Sequence, residues 1–289
     1  MSAYEEVYRH AAALLTEHAV PDAALDAWYL LEHVTGLRRA EYFLRAKEQI
    51  PEEQEQAFFS LINRRCERIP LQYLTGVQEF MGFPFAVSPA TLIPRQDTEC
   101  LVEEARKYLQ RYEREYSSGA RVLDLCTGTG CIVISLAKLC NLSYAVGTDI
   151  SEEALNIAER NARDLNAAAE FYLGDLFAAL PQHKIFDLVV SNPPYIRTRD
   201  IAGLMPEVRE YEPVTALDGA EDGLKFYREI VQAAPGYLSD GGRLLFEIGC
   251  EQAEQVRTLM FQRGFTELWT GRDYASLDRM VSGVWRNRK

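Results

Sequence analysis

From Arg121 onward the chain alternates short apolar runs with segments of helical period, and this alternation limits its fold more than any other feature. Val122-Leu123-Asp124-Leu125, Ser143 to Thr148, Glu170-Phe171-Tyr172-Leu173, Phe186 to Ser191 and Arg243 to Ile248 read as strands. Residues 131–140, 152–165, 222–234 and 251–263 lie between or after them and read as helices. Strands joined in this way predict an α/β fold, a mostly parallel sheet with helices on both faces. Gly264-Phe265, Leu268-Trp269 and Met280 to Trp285 supply its closing edge strands.

The first 70 residues have a different character. One helix runs to His18, a second from Asp22 to a Gly36 stop, a short third lies near Ala40, and a fourth runs from Pro51 to Arg68. These predict a small helical bundle over 1–70. Phe80 to Val87 resembles two short strands turned at Gly82, so residues 71–93 read as a linker with a β-hairpin. A helix from Gln96 to Tyr116, ended by Ser117-Ser118-Gly119, then opens the third region, 94–289.

Composition removes several functions. A net charge of −12 opposes a surface built to neutralise nucleic-acid phosphates. The arginines and lysine between Arg38 and Arg68 read as solvated helix faces. Six cysteines form no Cys-x-x-Cys pair and do not cluster with the four histidines, which argues against a metal site. Met1 to Leu15 is an amphipathic helix rather than a signal peptide, and no stretch of 18 apolar residues occurs. The expectation is a cytoplasmic protein with reduced thiols and no membrane contact.

Three elements carry chemistry. The loop Cys126-Thr127-Gly128-Thr129-Gly130 follows the first strand and opens a helix, where glycines let the backbone approach a ligand. Asp149 ends the next strand, 19 residues after Gly130, where an acidic side chain can take both hydroxyls of a ribose. Only two glycines and no Lys-Ser/Thr ending favour a nucleoside without phosphate, of which S-adenosylmethionine is the commonest such cofactor. Asp175 and Leu176, after the third strand, are placed beside its adenine.

The third element is Asn192-Pro193-Pro194-Tyr195, directly after the Phe186–Ser191 run. Two prolines cannot continue a ladder, so the chain must leave the sheet there. The turn offers the Asn192 side chain and the Pro193 carbonyl as an acceptor pair, with Tyr195 as a flat surface. Such a pair suits a planar NH2 group, whether of an amide or of an adenine.

These three elements in this order resemble amino-group methyltransferases that use S-adenosylmethionine. Further stretches resemble one branch, the HemK/PrmC family: Arg68 to Gly76, Leu92 to Glu99, Tyr211-Glu212-Pro213, Ala216-Leu217-Asp218-Gly219 and Glu247-Ile248-Gly249. The resemblance spans roughly residues 68–285. It implies a Rossmann-like domain with a seven-stranded sheet, and methylation of the glutamine in the Gly-Gly-Gln loop of peptide chain release factors. S-adenosyl-L-methionine would be the cofactor and S-adenosyl-L-homocysteine its product. Asn192 and Pro193 would hold the substrate amide, packed beside Pro194 and Tyr195, and Asn192 would also touch the cofactor.

Two positions depart from the family pattern. Cys126 stands where glycine is often found, and Leu176 where an aromatic residue often meets adenine. A ribosomal protein as methyl acceptor, a DNA adenine acceptor and a noncatalytic adaptor are the competing readings. The weakly patterned segment 196–220, which carries Glu207, Glu210 and Glu212, is expected to help form the substrate mouth.

Overall fold

Gly36 and Gly76 each end a helix in the left-handed conformation, at φ of 69° and 75°. Between and before these stops run α1 (Tyr4–Glu17), α2 (Ala23–Thr35), α3 (Arg39–Arg45), α4 (Glu52–Cys66) and α5 (Leu71–Thr75). They close over Val7, Ala11, Leu15, Leu31, Phe58 and Ile62. The stretch after Ile69 reads as a break in period, yet it folds as α5. Pro70 precedes the helix at φ −53°, and the short turn leaves too few residues to show a period.

The computed structural model describes residues 2–180 and 185–287. It divides into two units, the first comprising the chain up to Val77 together with Met205–Tyr211, the second Gln78–Leu204 and the chain from Glu212. The first unit thus runs beyond residue 70 and recruits a segment from far along the chain. The hairpin of β1 (Val77–Phe80) and β2 (Phe83–Ala86) turns through Met81 and Gly82, both at positive φ. Its Phe80 and Phe85 are buried in the core of the second unit, so the hairpin is part of that core.

In the second unit α6 (Gln96–Tyr116) leads to β3 (Ala120–Leu125), α7 (Cys131–Leu139), β4 (Leu142–Asp149), α8 (Glu152–Asp164), β5 (Glu170–Leu173) and β6 (Phe186–Ser191). After α9 (Pro206–Tyr211) come α10 (Lys225–Ala233), β7 (Leu238–Glu247), α11 (Ala253–Arg263), β8 (Thr266–Arg272) and β9 (Asp278–Val284). Seven strands form one sheet in the order β5-β4-β3-β6-β7-β9-β8. The first five are parallel, and β9 runs antiparallel to both β7 and β8. One face buries Leu101, Val102, Ile132 and Val133 of α6 and α7; the other buries Tyr227, Ile230, Val256 and Met260 of α10 and α11. This is the doubly wound α/β sheet expected from the alternation.

The start of α10 and the segment 196–220 differ from the sequence reading for local reasons. The α10 helix begins at Lys225 rather than 222, because Gly223 takes φ 75° and the Asp222 carboxylate accepts the Leu224 N–H. Segment 196–220 contains 3-10 turns at Thr198–Gly203 and Val214–Ala216 as well as α9. Single turns bury too few residues to leave a period.

Candidate active site

Strand register gathers the candidate residues. Leu125 of β3 pairs with Thr148 of β4 and with Ser191 of β6, and Ser191 pairs with Phe246 of β7. The next residue on each strand is therefore Cys126, Asp149, Asn192 and Glu247, a row across four neighbouring strands spaced about 4.8 Å apart. The chain leaves β3 for β4 on one side and reaches β6 on the other. This is the switch point where open α/β sheets bind ligands.

On the β3–β4 side, the Gly128 N–H donates to Asp149 Oδ2 at 2.9 Å and the Ser151 N–H to Oδ1 at 3.0 Å. Burial pushes the Asp149 carboxyl up, and these N–H groups pull against it. Each oxygen keeps a lone pair for a hydroxyl donor. Gly174 N–H donates to the Asp149 carbonyl and Thr148 Oγ1 to the Leu176 carbonyl, which sets Asp175 and Leu176 beside Asp149. Asp175 is exposed and Leu176 half-buried. Ser151 caps α8 by accepting the Ala154 N–H, as its sequence position predicts.

The loop itself offers mainly backbone. Thr127 Oγ1 donates to the buried Asp124 carboxylate at 2.6 Å, and the Thr129 carbonyl accepts from Asn161 Nδ2 at 2.9 Å. Asn161 also makes two hydrogen bonds to Ala86, tying the hairpin to the loop. No motif reading singled it out, because its role depends on partners far away in sequence. Cys126 adopts φ 58°, a left-handed position that explains why glycine suits it. Its side chain is half-buried, and desolvation pushes the thiol up, so it stays neutral.

An added Cβ at Gly128 would meet open space, leaving the loop backbone accessible to a ligand. Asp124, pushed up to about 7 by burial, lies close to Asp149. The Asp149 carboxylate opposes a pyrophosphate and suits a cationic sulfonium carrying a ribose. The residues present therefore fit S-adenosylmethionine better than a dinucleotide.

On the β6–β7 side, Pro193 and Pro194 are buried, and Asn192 and Tyr195 half-buried. Gln252 Nε2 donates to the carbonyls of Tyr195 and Gly223 at 3.0 and 3.2 Å. A Cβ on Gly219 would lie 2.8 Å from Tyr195 Cα, and one on Gly223 2.4 Å from the Tyr195 carbonyl oxygen. Both glycines let the 219–223 backbone press on the tetrapeptide and hold its turn. Burial, aided by Glu247, pushes the Tyr195 phenol up to about 12, so it is neutral.

The amino-terminal part matches the model of the PrmC N-terminal domain over residues 6–76, and residues 116–272 match a methyltransferase domain. A release factor glutamine methyltransferase of Geobacter sulfurreducens is 44% identical over 93% of this chain and 92% of its own length. The chain belongs to the release factor glutamine methyltransferases. The Bordetella pertussis relative of the same description is 40% identical over 93% of this methyltransferase and 97% of its own chain. The sheet also resembles the solved 16S rRNA N2 G1207 methyltransferase of T. thermophilus, with a TM-score of 0.52 at 17% identity over 73% of this chain and 50% of that one. That likeness concerns the fold alone.

Thr98 and Glu247 entered the sequence reading only as parts of longer stretches. Glu247 is 2% exposed, and burial pushes it up to about 7 against the pull of Thr98, Arg279 and Arg95. The acidic residues of segment 196–220 differ in their surroundings. Glu212 is buried and takes both oxygens to Arg95, at 2.6 and 2.8 Å, while Glu207 is buried among arginines of the first unit. Glu210 alone stays near solvent, paired with Arg209. Burying a carboxylate requires such partners, which no local pattern reveals.

The clamp on the tetrapeptide is testable. Gly223→Ala forces a side chain into a left-handed position and against the Tyr195 carbonyl. Displacement of a substrate-positioning group by about 1 Å can cost on the order of 100-fold. We expect kcat to fall by at least about tenfold with cofactor affinity unchanged in calorimetric titration; equal loss of both would place the clamp elsewhere.

Proposed function

We propose that this methyltransferase transfers the methyl group of S-adenosyl-L-methionine to the side-chain amide nitrogen of the glutamine in the Gly-Gly-Gln loop of peptide chain release factors. The observation that carries the reading is the single row holding Asp149 at one end and the fixed Asn192-Pro193 acceptor pair two strands away. A donor on the β3–β4 side and an NH2 acceptor on the β6 side meet across that row.

An amide nitrogen is a poor nucleophile because its lone pair is delocalised into the carbonyl. When bound, the cofactor supplies the electrophilic methyl group. Asp149 takes the ribose hydroxyls, and backbone of the loop Cys126-Thr127-Gly128-Thr129-Gly130 lines the nucleoside, with Asp175 and Leu176 near the base. Asn192 Oδ1 and the Pro193 carbonyl accept the two N–H bonds of the glutamine amide and aim its nitrogen. They also favour the positive charge that grows there. Pro194 and Tyr195 confine the amide plane. The N-methylated amide cation is a strong acid and loses its proton to solvent, so no general base is assigned.

Asp149→Ala removes the charged acceptor for the ribose. Hydrogen bonds to charged groups contribute about 1.5–3 kcal/mol, so cofactor affinity should weaken by about 10- to 100-fold. Titration calorimetry checks this, and unchanged affinity would move the ribose site.

The direct test incubates the enzyme with methyl-labelled S-adenosylmethionine and, separately, a release factor, a glutamine variant of its Gly-Gly-Gln loop, ribosomal protein and DNA. Label is expected on the unmodified release factor alone. Label on ribosomal protein or DNA instead would replace the acceptor. The helical unit is assigned to docking of the protein acceptor; hydrogen exchange on the full chain should then slow within residues 2–77 when release factor is added. The proposed place of action is the cytoplasm, and recovery in a membrane or secreted fraction would contradict it.

A further inference from the structure

Thr98 lies in the first turn of α6, 2% exposed, and its Oγ1 accepts the Asn192 Nδ2–H at 3.3 Å. Its hydroxyl also lies within reach of the Glu247 carboxylate and favours the charged form of that group. Glu247 reaches this place by register. It follows Phe246 as Asn192 follows Ser191, on the neighbouring strand. The carboxylate is buried, and its Oε2 has no hydrogen-bond partner among the described residues.

The chemistry of the three groups sets a polarity. In its charged form, which Thr98 favours, the Glu247 carboxylate only accepts, so the single proton of the Thr98 hydroxyl is drawn to it. The threonine oxygen is then left as an acceptor. Of the two ends of the Asn192 amide, alike in shape and opposite in chemistry, only Nδ2 can donate to it. Oδ1 must therefore turn the other way. Reversal of the amide would present an NH2 group to the NH2 of the acceptor, leaving two donors opposed.

We propose that Thr98, oriented by Glu247, is a positioning residue that fixes the Asn192 side-chain amide with Oδ1 toward the acceptor nitrogen. The inference rests on the glutamine-transfer reading above. It gives the Leu92–Glu99 and Glu247–Gly249 stretches one shared task. The first carries Thr98 on the opening turn of α6, and the second carries Glu247 on the end of β7. Neither residue touches the substrate; both act through Asn192.

The test uses the full-length enzyme with release factor and measures kcat, KM and cofactor affinity. Thr98→Val keeps the side-chain shape and removes the hydroxyl. It is expected to lower kcat by about 10- to 100-fold while leaving cofactor affinity and thermal stability near those of the unmodified enzyme. Thr98→Ser restores the hydroxyl and should return kcat to within about threefold. Glu247→Gln can donate as well as accept, which relaxes the polarity and should lower kcat severalfold. Its effect should largely vanish in a Thr98→Val background, since both act along one path. A Thr98→Val enzyme with unchanged kcat, a serine variant as impaired as the valine one, or fully additive losses would overturn the proposal. Absence of transfer by the unmodified enzyme would instead remove the glutamine reading on which it rests.

Discussion

Replacing Asn192 with alanine should lower kcat by at least about 10²- to 10³-fold, the range seen when one preorganised polar group facing a developing charge is deleted. The reason is geometric. Asn192 stands in the row of strand ends between the cofactor loop and Glu247, and among the described residues its side chain makes one hydrogen bond, to Thr98. Loss of that weak bond costs the fold about 1 kcal/mol or less. The backbone turn is held separately by Pro193, Pro194, Gln252 and Gly223, so it should survive. Cofactor affinity is then expected to change by no more than a few fold. Single-turnover transfer together with calorimetric titration separates the two, and retained turnover would remove Asn192 from the chemistry.

The second large effect concerns stability of the first unit. Glu207 of α9 takes Arg68 on both oxygens, at 2.7 and 2.6 Å, and Arg65 at 2.9 Å, while Arg65 also pairs with Asp26 at 2.7 Å. The Arg65, Asp26 and Glu207 side chains are 6%, 10% and 11% exposed. Removing one partner of a buried ion pair typically costs about 3–5 kcal/mol, because the other charge stays buried without compensation. Arg65 retains Asp26, so Glu207→Ala should destabilise the helical unit by about 3 kcal/mol, at the lower end of that range. Thermal unfolding should show a lower midpoint for this unit, and hydrogen exchange should quicken at 205–211.

The pH dependence of that unit follows from the same cluster. Burial alone would raise the Glu207 carboxyl, but hydrogen bonds from Arg68 and Arg65 outweigh it and hold the group below its ordinary value of 4.5. A carboxyl held low in the folded state contributes stability above its unfolded value and loses it as pH falls through the folded one. The contribution should therefore be complete above about pH 4.5 and fade below it. Asp26 acts in the opposite direction, since burial raises it above 3.8 despite Arg65. Glu207→Ala should flatten the acid limb of the stability curve, and an unchanged limb would assign it to other carboxyls.

Local signals were strong wherever a residue's partners are near in sequence. Ser151 with Glu152 and Glu153 marks the start of α8, Gly36 the end of α2, and Ser117 the end of α6. The same holds for Asn192-Pro193-Pro194-Tyr195, whose prolines force the exit from β6 wherever that strand lies. Cys126 and Asp149 were legible because the first directly follows and the second ends a strand of the alternating pattern.

Glu207, Glu212, Asn161, Thr98 and Glu247 were not legible in the same way. Each works through a partner brought near by folding: Arg65 and Arg68 for Glu207, Arg95 for Glu212, Ala86 for Asn161 and Asn192 for Thr98. A charge run or a lone threonine has no local consequence that reveals such a partner. Nor does a weakly patterned segment announce that Met205–Tyr211 joins the helical unit.

By itself, then, the sequence determined the alternation of strands and helices, the helical bundle before it, and the turns at which the chain must leave the sheet, because these depend on backbone geometry and nearby caps. Only the tertiary structure decided that Cys126, Asp149, Asn192 and Glu247 stand in one row, because the register between strands is set by burial of both sheet faces at once.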